Sequence, residues 1–293
     1  MKGNYIRNSS KDTSAKLQIL KSLQLLPLDN KIDIANDIIM RSLDIGKPAL
    51  LYSGGKDSTV LLDLLKPYKN DLIVMYNNTT LGSTDNLEYI RGAMAGYNYI
   101  ETTASDPFAM WKSKGYFPIL SKRGFTKYKK LYSNLKTSPV QCCYQLKEKY
   151  SNKVLLSNNI KVVFWGNRAG ESNRRKFCFV DNGFLFKPKK YKWHQSYPLQ
   201  HFTDNDIIEY LKAYIPEYDI VSYHETGCLC CGTDITFKDN TLMKLYANDY
   251  NAWVKYMKAG FAEQILIAKG HTDLSSETID NIIMKHPKLI LKI

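Results

Sequence analysis

Apolar positions along this chain switch between short continuous runs and helical spacing. Tyr97 to Thr102 reads as a strand, while the runs Ala49 to Tyr52, Leu72 to Tyr76 and Val162 to Gly166 show little alternation with polar residues. That pattern predicts short strands covered on both faces. Between them the spacing changes to three and four. Leu17, Leu20, Leu23 and Leu26 predict a short amphipathic helix ending at Pro27. Ile32, Ala35, Ile38 and Ile39 predict a second helix, with Asp29 or Asn30 as its N-cap, running up to Gly46-Lys47-Pro48.

Further helices are predicted over Val60 to Leu65, around Asp85 to Ala95, over Asp106 to Lys114 and over Gln141 to Ser157. Thr203-Asp204-Asn205-Asp206 is an N-cap signal for a helix from Ile207 to Tyr214. From Asn240 the tail returns to helical spacing, with Leu242, Leu245, Tyr246, Trp253 and Tyr256, then Phe261 to Ala268. Strands alternating with helices at this pace predict an α/β fold with a doubly wound, mostly parallel sheet. Its ligands are expected at the carboxyl ends of the strands. The expected organisation is an N-terminal helical segment (1–47), an α/β nucleotide-binding domain (48–219) and a small helical C-terminal subdomain (220–293).

The first strand runs into Ser53-Gly54-Gly55-Lys56-Asp57-Ser58-Thr59 and then a helix. Two adjacent glycines let backbone N–H groups converge without Cβ obstruction. The helix start adds unpaired N–H groups and a positive dipole end, which together make an anion site. Lys56 adds a full charge; Ser53, Ser58 and Thr59 add hydroxyls. Asp57 is the odd member, because a carboxylate beside a phosphate is repelled unless it caps the helix or binds Mg²⁺. The plain alternative is a Gly-Gly turn before a capped helix.

Composition narrows the setting. The 293 residues carry 41 basic and 28 acidic side chains, a net charge of +13, which favours polyanionic partners such as nucleotides or nucleic acid. A+T-rich coding would produce the same lysine excess. Residues 115–140 mix Lys122, Arg123, Lys127, Lys129 and Lys130 with Tyr116, Phe117, Phe125, Tyr128 and Tyr132, which suits a loop over the site that stacks on bases, or a solvated lysine-rich surface. No apolar run is long enough for a membrane span and no signal peptide is evident, so a cytoplasmic protein without membrane association is expected.

Six cysteines in such a protein suggest metal ligation or catalysis more than disulfides. Cys142-Cys143 is a tandem pair, Cys228 and Cys231 form a CxxC around Cys230, and Cys178 stands apart. Four thiolates suit zinc or an iron–sulfur cluster, and spacing alone does not separate them, although tandem cysteines are unusual in structural zinc sites. Buried apolar cysteines and a redox CxxC are the competing readings. A second basic motif, Gly166-Asn167-Arg168-Ala169-Gly170-Glu171-Ser172-Asn173-Arg174-Arg175, follows the strand at Val162. Its planar guanidinium forks match phosphate or sulfate, and Glu171 can hold one fork in place.

SGGKDS resembles the PP-loop of the ATP pyrophosphatase superfamily, whose fold is adenine nucleotide alpha hydrolase-like. The arginine motif resembles the Gly-x-Arg-x-x-Glu-Ser-x-x-Arg block of its phosphoadenosine-phosphosulfate (PAPS) reductase branch. Tyr197-Pro198-Leu199 with Phe202-Thr203-x-x-Asp206-Ile207, and Thr226-Gly227-Cys228 through Gly232, resemble the blocks that follow in that family. The resemblance covers about residues 48 to 260. It implies ATP (or PAPS) with Mg²⁺ as ligand, held by Ser53, Gly54, Gly55, Lys56, Asp57, Ser58, Thr59, Gly166, Arg168, Glu171 and Arg175. Lys56, Asp57, Arg168 and Arg174 are then the expected catalytic groups. It also implies a 4Fe–4S cluster, with zinc as the alternative, on Cys142, Cys143, Cys228 and Cys231, where Cys230 could replace a ligand.

Two departures bear on function. The reductases carry a Glu-Cys-Gly-x-His tail whose thiolate attacks sulfur, whereas no cysteine follows Cys231 here. Their Asp-Thr-Gly after the second strand is altered here, reading Asn78-Thr79-Thr80-Leu81-Gly82. The reading that follows is an enzyme that adenylates an acceptor for sulfur transfer, similar to DNA-phosphorothioation ATP pyrophosphatases. Nucleic acid is a candidate acceptor and a cysteine desulfurase a candidate sulfur donor. The alternatives are a PAPS or adenylylsulfate reductase using a thiol such as Cys230 or a partner's, and a non-catalytic nucleotide- or DNA-binding regulator.

Overall fold

The computed structural model describes residues 11–113, 142–218, 227–228 and 254. The basic 115–140 stretch, Cys230, Cys231 and the tail helices expected from Asn240 lie outside these described residues. Internal contacts divide the chain into one compact unit, residues 1–76, 86–101 and 153–224, and a second, residues 77–85, 102–152 and 225–293.

The elements in chain order are α1 (Lys11–Gln24), α2 (Leu28–Leu43), β1 (Pro48–Leu51), α3 (Lys56–Leu64), β2 (Ile73–Asn78), α4 (Thr84–Ala93), β3 (Asn98–Thr103) and α5 (Pro107–Ser113). After one π turn, Tyr144–Glu148, come α6 (Lys149–Ser157), β4 (Val162–Trp165), α7 (Asn173–Asn182), β5 (Leu185–Phe186), β6 (His194–Ser196) and α8 (Asp204–Tyr214). They form a six-stranded sheet of order β3-β2-β1-β4-β6-β5. β1 pairs in parallel with β2 and with β4, and β4 with β6, while β5 runs antiparallel on β6. The α/β architecture and mostly parallel sheet expected from the strand–helix alternation are therefore present.

The apolar runs are continuous because both faces are covered. Leu50, Val74, Val162 and Phe164 join one cluster with Ala35 and Ile39 of α2, Val60, Leu61 and Leu64 of α3, and Ile207 and Leu211 of α8. Ala49, Ile73, Met75 and Val163 join the other with Leu155 of α6 and Trp193. Each fully buried Leu or Phe contributes about 2 kcal/mol, so these strands cannot flip register without exposing a whole face.

Several local expectations need correction. Helix α2 starts at Leu28, with Pro27 as the N-cap and no side-chain cap, rather than at Asp29 or Asn30. Proline's fixed φ suits a helix entry, and the Pro27 carbonyl accepts the Lys31 N–H. Helix α7 and strands β5 and β6 carried no clear period in the sequence, since two of them are two or three residues long.

Helix α2 is tied to α8 through a buried ion pair. Lys31, 2% exposed, places its Nζ 2.7 Å from an Asp206 carboxylate oxygen and 2.8 Å from the Gln24 carbonyl. Burial pushes the Asp206 carboxyl up, but hydrogen bonds from Lys31 and from the Thr203 N–H and hydroxyl outweigh it, leaving a net downward shift. His201, fully buried, donates from Nε2 to the Lys31 carbonyl at 3.1 Å, and among the described residues its Nδ1 has no hydrogen-bond partner. Burial pushes the imidazole down to about 4.

That depression has a definite sign. The unfolded chain takes up the His201 proton near pH 6.5, whereas the folded chain resists it until about pH 4. Stability contributed by neutral His201 is therefore complete above pH 6.5 and is lost progressively down to pH 4, by about 3 kcal/mol. Denaturant titrations from pH 7 to pH 4 should show this slope in the wild type and a shallower one in His201→Gln.

Candidate functional site

The sheet order reverses between β1 and β4, which lie side by side while their following connections leave to opposite sides. Ligands of open α/β sheets bind at such a point. The loop after β1 carries Ser53 to Thr59, and the loop after β4 carries the arginine motif.

The first loop is built as an anion cradle. Gly54 adopts φ +76°, and a Cβ there would lie 2.7 Å from Asn86 Oδ1. Gly55 is the N-cap of α3 and supplies no side chain, so the first N–H groups of the helix stay unblocked. The loop is braced from within. Ser58 Oγ donates to the Gly55 carbonyl at 2.9 Å and lies 3.1 Å from Ser53 Oγ. Tyr218 donates to the Gly54 carbonyl at 3.1 Å, and the Thr59 and Tyr52 hydroxyls lie 3.3 Å apart beneath it. Burial drives the Tyr52 hydroxyl pKa strongly upward, so it stays a neutral prop.

The second loop is pressed against the first. A Cβ at Gly166 would stand 3.0 Å from both the Cα and the backbone nitrogen of Ser58. This close approach carries Arg168 over the start of α3. Arg168 is only 4% exposed; its Nε donates to Asp57 Oδ1 at 2.5 Å and its Nη2 to Asp204 Oδ1 at 2.6 Å. Lys56 pairs with the same Asp204 oxygen. Glu171 accepts the Arg168 N–H at 2.7 Å and pairs with the Arg175 guanidinium, so the glutamate does hold one fork in place. Burial lowers the Arg175 pKa, opposed by the nearby Asp57 charge. Ser172 caps α7 by accepting the Arg175 N–H at 3.2 Å.

Lys56, Asp57, Arg168, Glu171 and Arg175 are thus brought together around one helix N-terminus. Arg174 is not held there. It is exposed on the first turn of α7, and among the described residues no ion pair engages it. Asp57 does not cap α3, contrary to one expectation for it; its carboxylate faces Arg168. Asp204, Tyr218 and Asn86 belong to the site and were not singled out from the sequence as site residues. Asp204 was legible only as part of a helix-start signal, and Tyr218 and Asn86 carry no motif at all. The Lys56 contact, the main cause, holds the Asp204 carboxyl below the usual range.

Of the described cysteines, Cys142, Cys143 and Cys228 belong to the second unit and Cys178 to the first. Cys142 and Cys143 precede the π turn and α6, and Cys228 Sγ lies 3.4 Å from Thr79 Oγ1 in the loop after β2. In that loop Thr80 adopts φ +59°. Among the described residues no three His, Cys, Asp or Glu side chains gather at metal-holding spacing. Cys231 is outside the described residues, so the four-thiolate site expected from the sequence stays a proposal.

Two glycines set the cradle. Gly54→Ala should destabilise the protein by about 2 kcal/mol, from a left-handed backbone and the clash at Asn86. Gly166→Ala should push the arginine loop off α3 and weaken pyrophosphate binding at least tenfold, with a smaller loss of melting temperature; calorimetry on both variants checks the pair.

Residues 47–232, more than half of the chain, match the phosphoadenosine phosphosulfate reductase domain family. The chain is similar to an adenosine 5'-phosphosulfate reductase of Staphylococcus saprophyticus, 23% identical over 217 residues, covering 72% of this chain and 81% of that protein. Among solved structures it is similar to phosphoadenylyl-sulfate (PAPS) reductase from Candida auris in a phosphate complex, with TM-score 0.43 and 11% identity, covering 70% of this chain and 87% of that one. It is also similar to the NH3-dependent NAD synthetase from Campylobacter jejuni, with TM-score 0.43 and 12% identity, covering 85% and 98%. On the match across residues 47–232, whose span holds both the glycine loop and the arginine loop, the chain belongs to the phosphoadenosine phosphosulfate reductase domain family.

Proposed function

We propose that this family member is an adenylating enzyme of the ATP pyrophosphatase type, acting in sulfur transfer. The observation that carries the reading is Asp57. It stands at the second position of α3, does not cap the helix, and keeps a carboxylate at the helix start beside Lys56 and Arg168. A bare phosphate or sulfate is repelled by it, whereas a phosphate chain that arrives with Mg²⁺ turns it into a metal ligand. Bound there, Mg²⁺ would neutralise charge on the phosphates. The donor set fits that ion, with hard oxygens from Asp57 and the neighbouring hydroxyls of Ser53 and Ser58.

In this reading the backbone N–H groups at the start of α3, together with Lys56, hold the β and γ phosphates. An acceptor oxygen attacks the α phosphorus and the α–β bridging P–O bond breaks, its electron pair leaving on pyrophosphate. Arg168, from a buried position, and the partly exposed Arg175 stabilise that developing charge. A sulfur nucleophile then displaces AMP from the activated acceptor. The net charge of +13 favours nucleic acid as acceptor. A 4Fe–4S cluster on Cys142, Cys143, Cys228 and Cys231 would bind or deliver sulfur; its thiolate donors are the right chemistry, and zinc is the alternative.

A second reading is an adenylylsulfate or PAPS reductase, favoured by the name of the 23% identical Staphylococcus protein. It requires a thiolate nucleophile such as Cys230 or a partner's thiol, and it releases sulfite.

Lys56→Ala and Arg168→Ala should each abolish pyrophosphate release from Mg·ATP, with Lys56→Ala keeping the wild-type melting temperature because Lys56 is partly solvated. Turnover retained in either variant overturns the site assignment. Anaerobically purified protein should carry roughly four iron and four sulfide per chain, lost in Cys228→Ser; stoichiometric zinc instead overturns the cluster.

A further inference from the structure

We propose that Asp204 is an internal stand-in for the anionic ligand, released from Lys56 and Arg168 when a phosphate chain enters. The proposal rests on the reading of the glycine loop as a phosphate site. A single carboxylate oxygen, Asp204 Oδ1, receives both the Lys56 ammonium and the Arg168 Nη2. Converging two cations on one oxygen is the arrangement a phosphate oxygen would adopt in the same place.

The two carboxylates on Arg168 differ in how firmly they are placed. Asp57 has a side chain 20% exposed and takes the Nε edge of the guanidinium. Asp204 has a side chain 69% exposed and stands in the first turn of α8. The backbone of that turn is fixed by others, since Thr203 Oγ1 accepts the Asp206 N–H and Asp206 accepts the Thr203 N–H. Asp204 can therefore rotate into solvent without unwinding α8, and the positive end of the helix still favours its charge there.

Asp204 then serves two opposed ends. Arg168 is 4% exposed, and a desolvated guanidinium needs a counter-charge whenever the site lacks ligand. Asp204 supplies it and keeps Arg168 and Lys56 aimed at the cradle. Because it must be displaced, it also lowers affinity and favours ligands bringing at least two adjacent anionic groups, one for each cation released. Removing its charge should tighten anion binding, the reverse of what the loss of a ligand-contacting or metal-binding residue does.

The test is calorimetric titration with inorganic pyrophosphate in excess Mg²⁺ on the full chain. Asp204→Asn and Asp204→Ala should bind about fivefold more tightly than wild type, the scale of one exposed charge pair. Asp33→Asn, which removes an exposed charge from α2, should leave affinity unchanged and controls for net charge. Binding by Asp204→Asn where wild type shows none also supports the proposal. Unchanged or weaker binding by the Asp204 variants, with wild type binding, overturns the stand-in role and leaves the phosphate site standing. Equal tightening in Asp33→Asn overturns it as well. Absence of binding in wild type, Asp204→Asn and Lys56→Ala alike overturns the phosphate site, and the stand-in with it.

Discussion

The site depends on one buried guanidinium. Arg168 is almost fully removed from water, and an unpaired charge there would be too costly to fold. Its pairing with Asp57 and Asp204 therefore joins three separate pieces of chain: the start of α3, the loop after β4 and the start of α8. Gly166 permits the approach, because no side chain could stand between β4 and the Ser58 backbone. The other groups follow from this one contact. Glu171 holds the Arg168 backbone and pairs with Arg175, while Lys56 shares the Asp204 oxygen.

Much of this was legible in the sequence, for reasons that differ by element. The strands were visible because a parallel sheet covered on both faces needs continuous apolar runs, such as Ala49 to Tyr52 and Leu72 to Tyr76. The glycine loop was visible because a strand, two glycines and a helix start leave backbone N–H groups converging. Helix α7 was hidden by its polar first turn, Asn173 to Lys176, which reads equally well as a basic loop. Asp204 was hidden because one residue can serve a helix start and an ion pair, and only tertiary structure brings Lys56, 148 positions away, to meet it. Arg174 and Arg175 look alike in the motif, yet their places on the helix separate them into an exposed residue and a site residue.

The buried trio Lys31, Asp206 and His201 shows the same economy at a structural place. The Thr-x-x-Asp element that resembles the family's block caps α8 through Thr203 and Asp206, and it also neutralises the lysine that anchors α2. One short motif thereby fixes the helix whose first residue reaches Lys56 of the glycine loop. The cysteines follow a separate logic: Cys142, Cys143 and Cys228 belong to the second compact unit, whereas the cradle belongs to the first.

The central claim is that the cradle breaks the α–β linkage of ATP. The most direct measurement follows pyrophosphate release from Mg·ATP, with and without DNA or tRNA, beside sulfite release from PAPS and adenylylsulfate plus a thiol reductant, in one anaerobic preparation. The account predicts pyrophosphate and AMP in equal amounts and no sulfite. Sulfite without pyrophosphate would contradict it and make the chain a sulfonucleotide reductase.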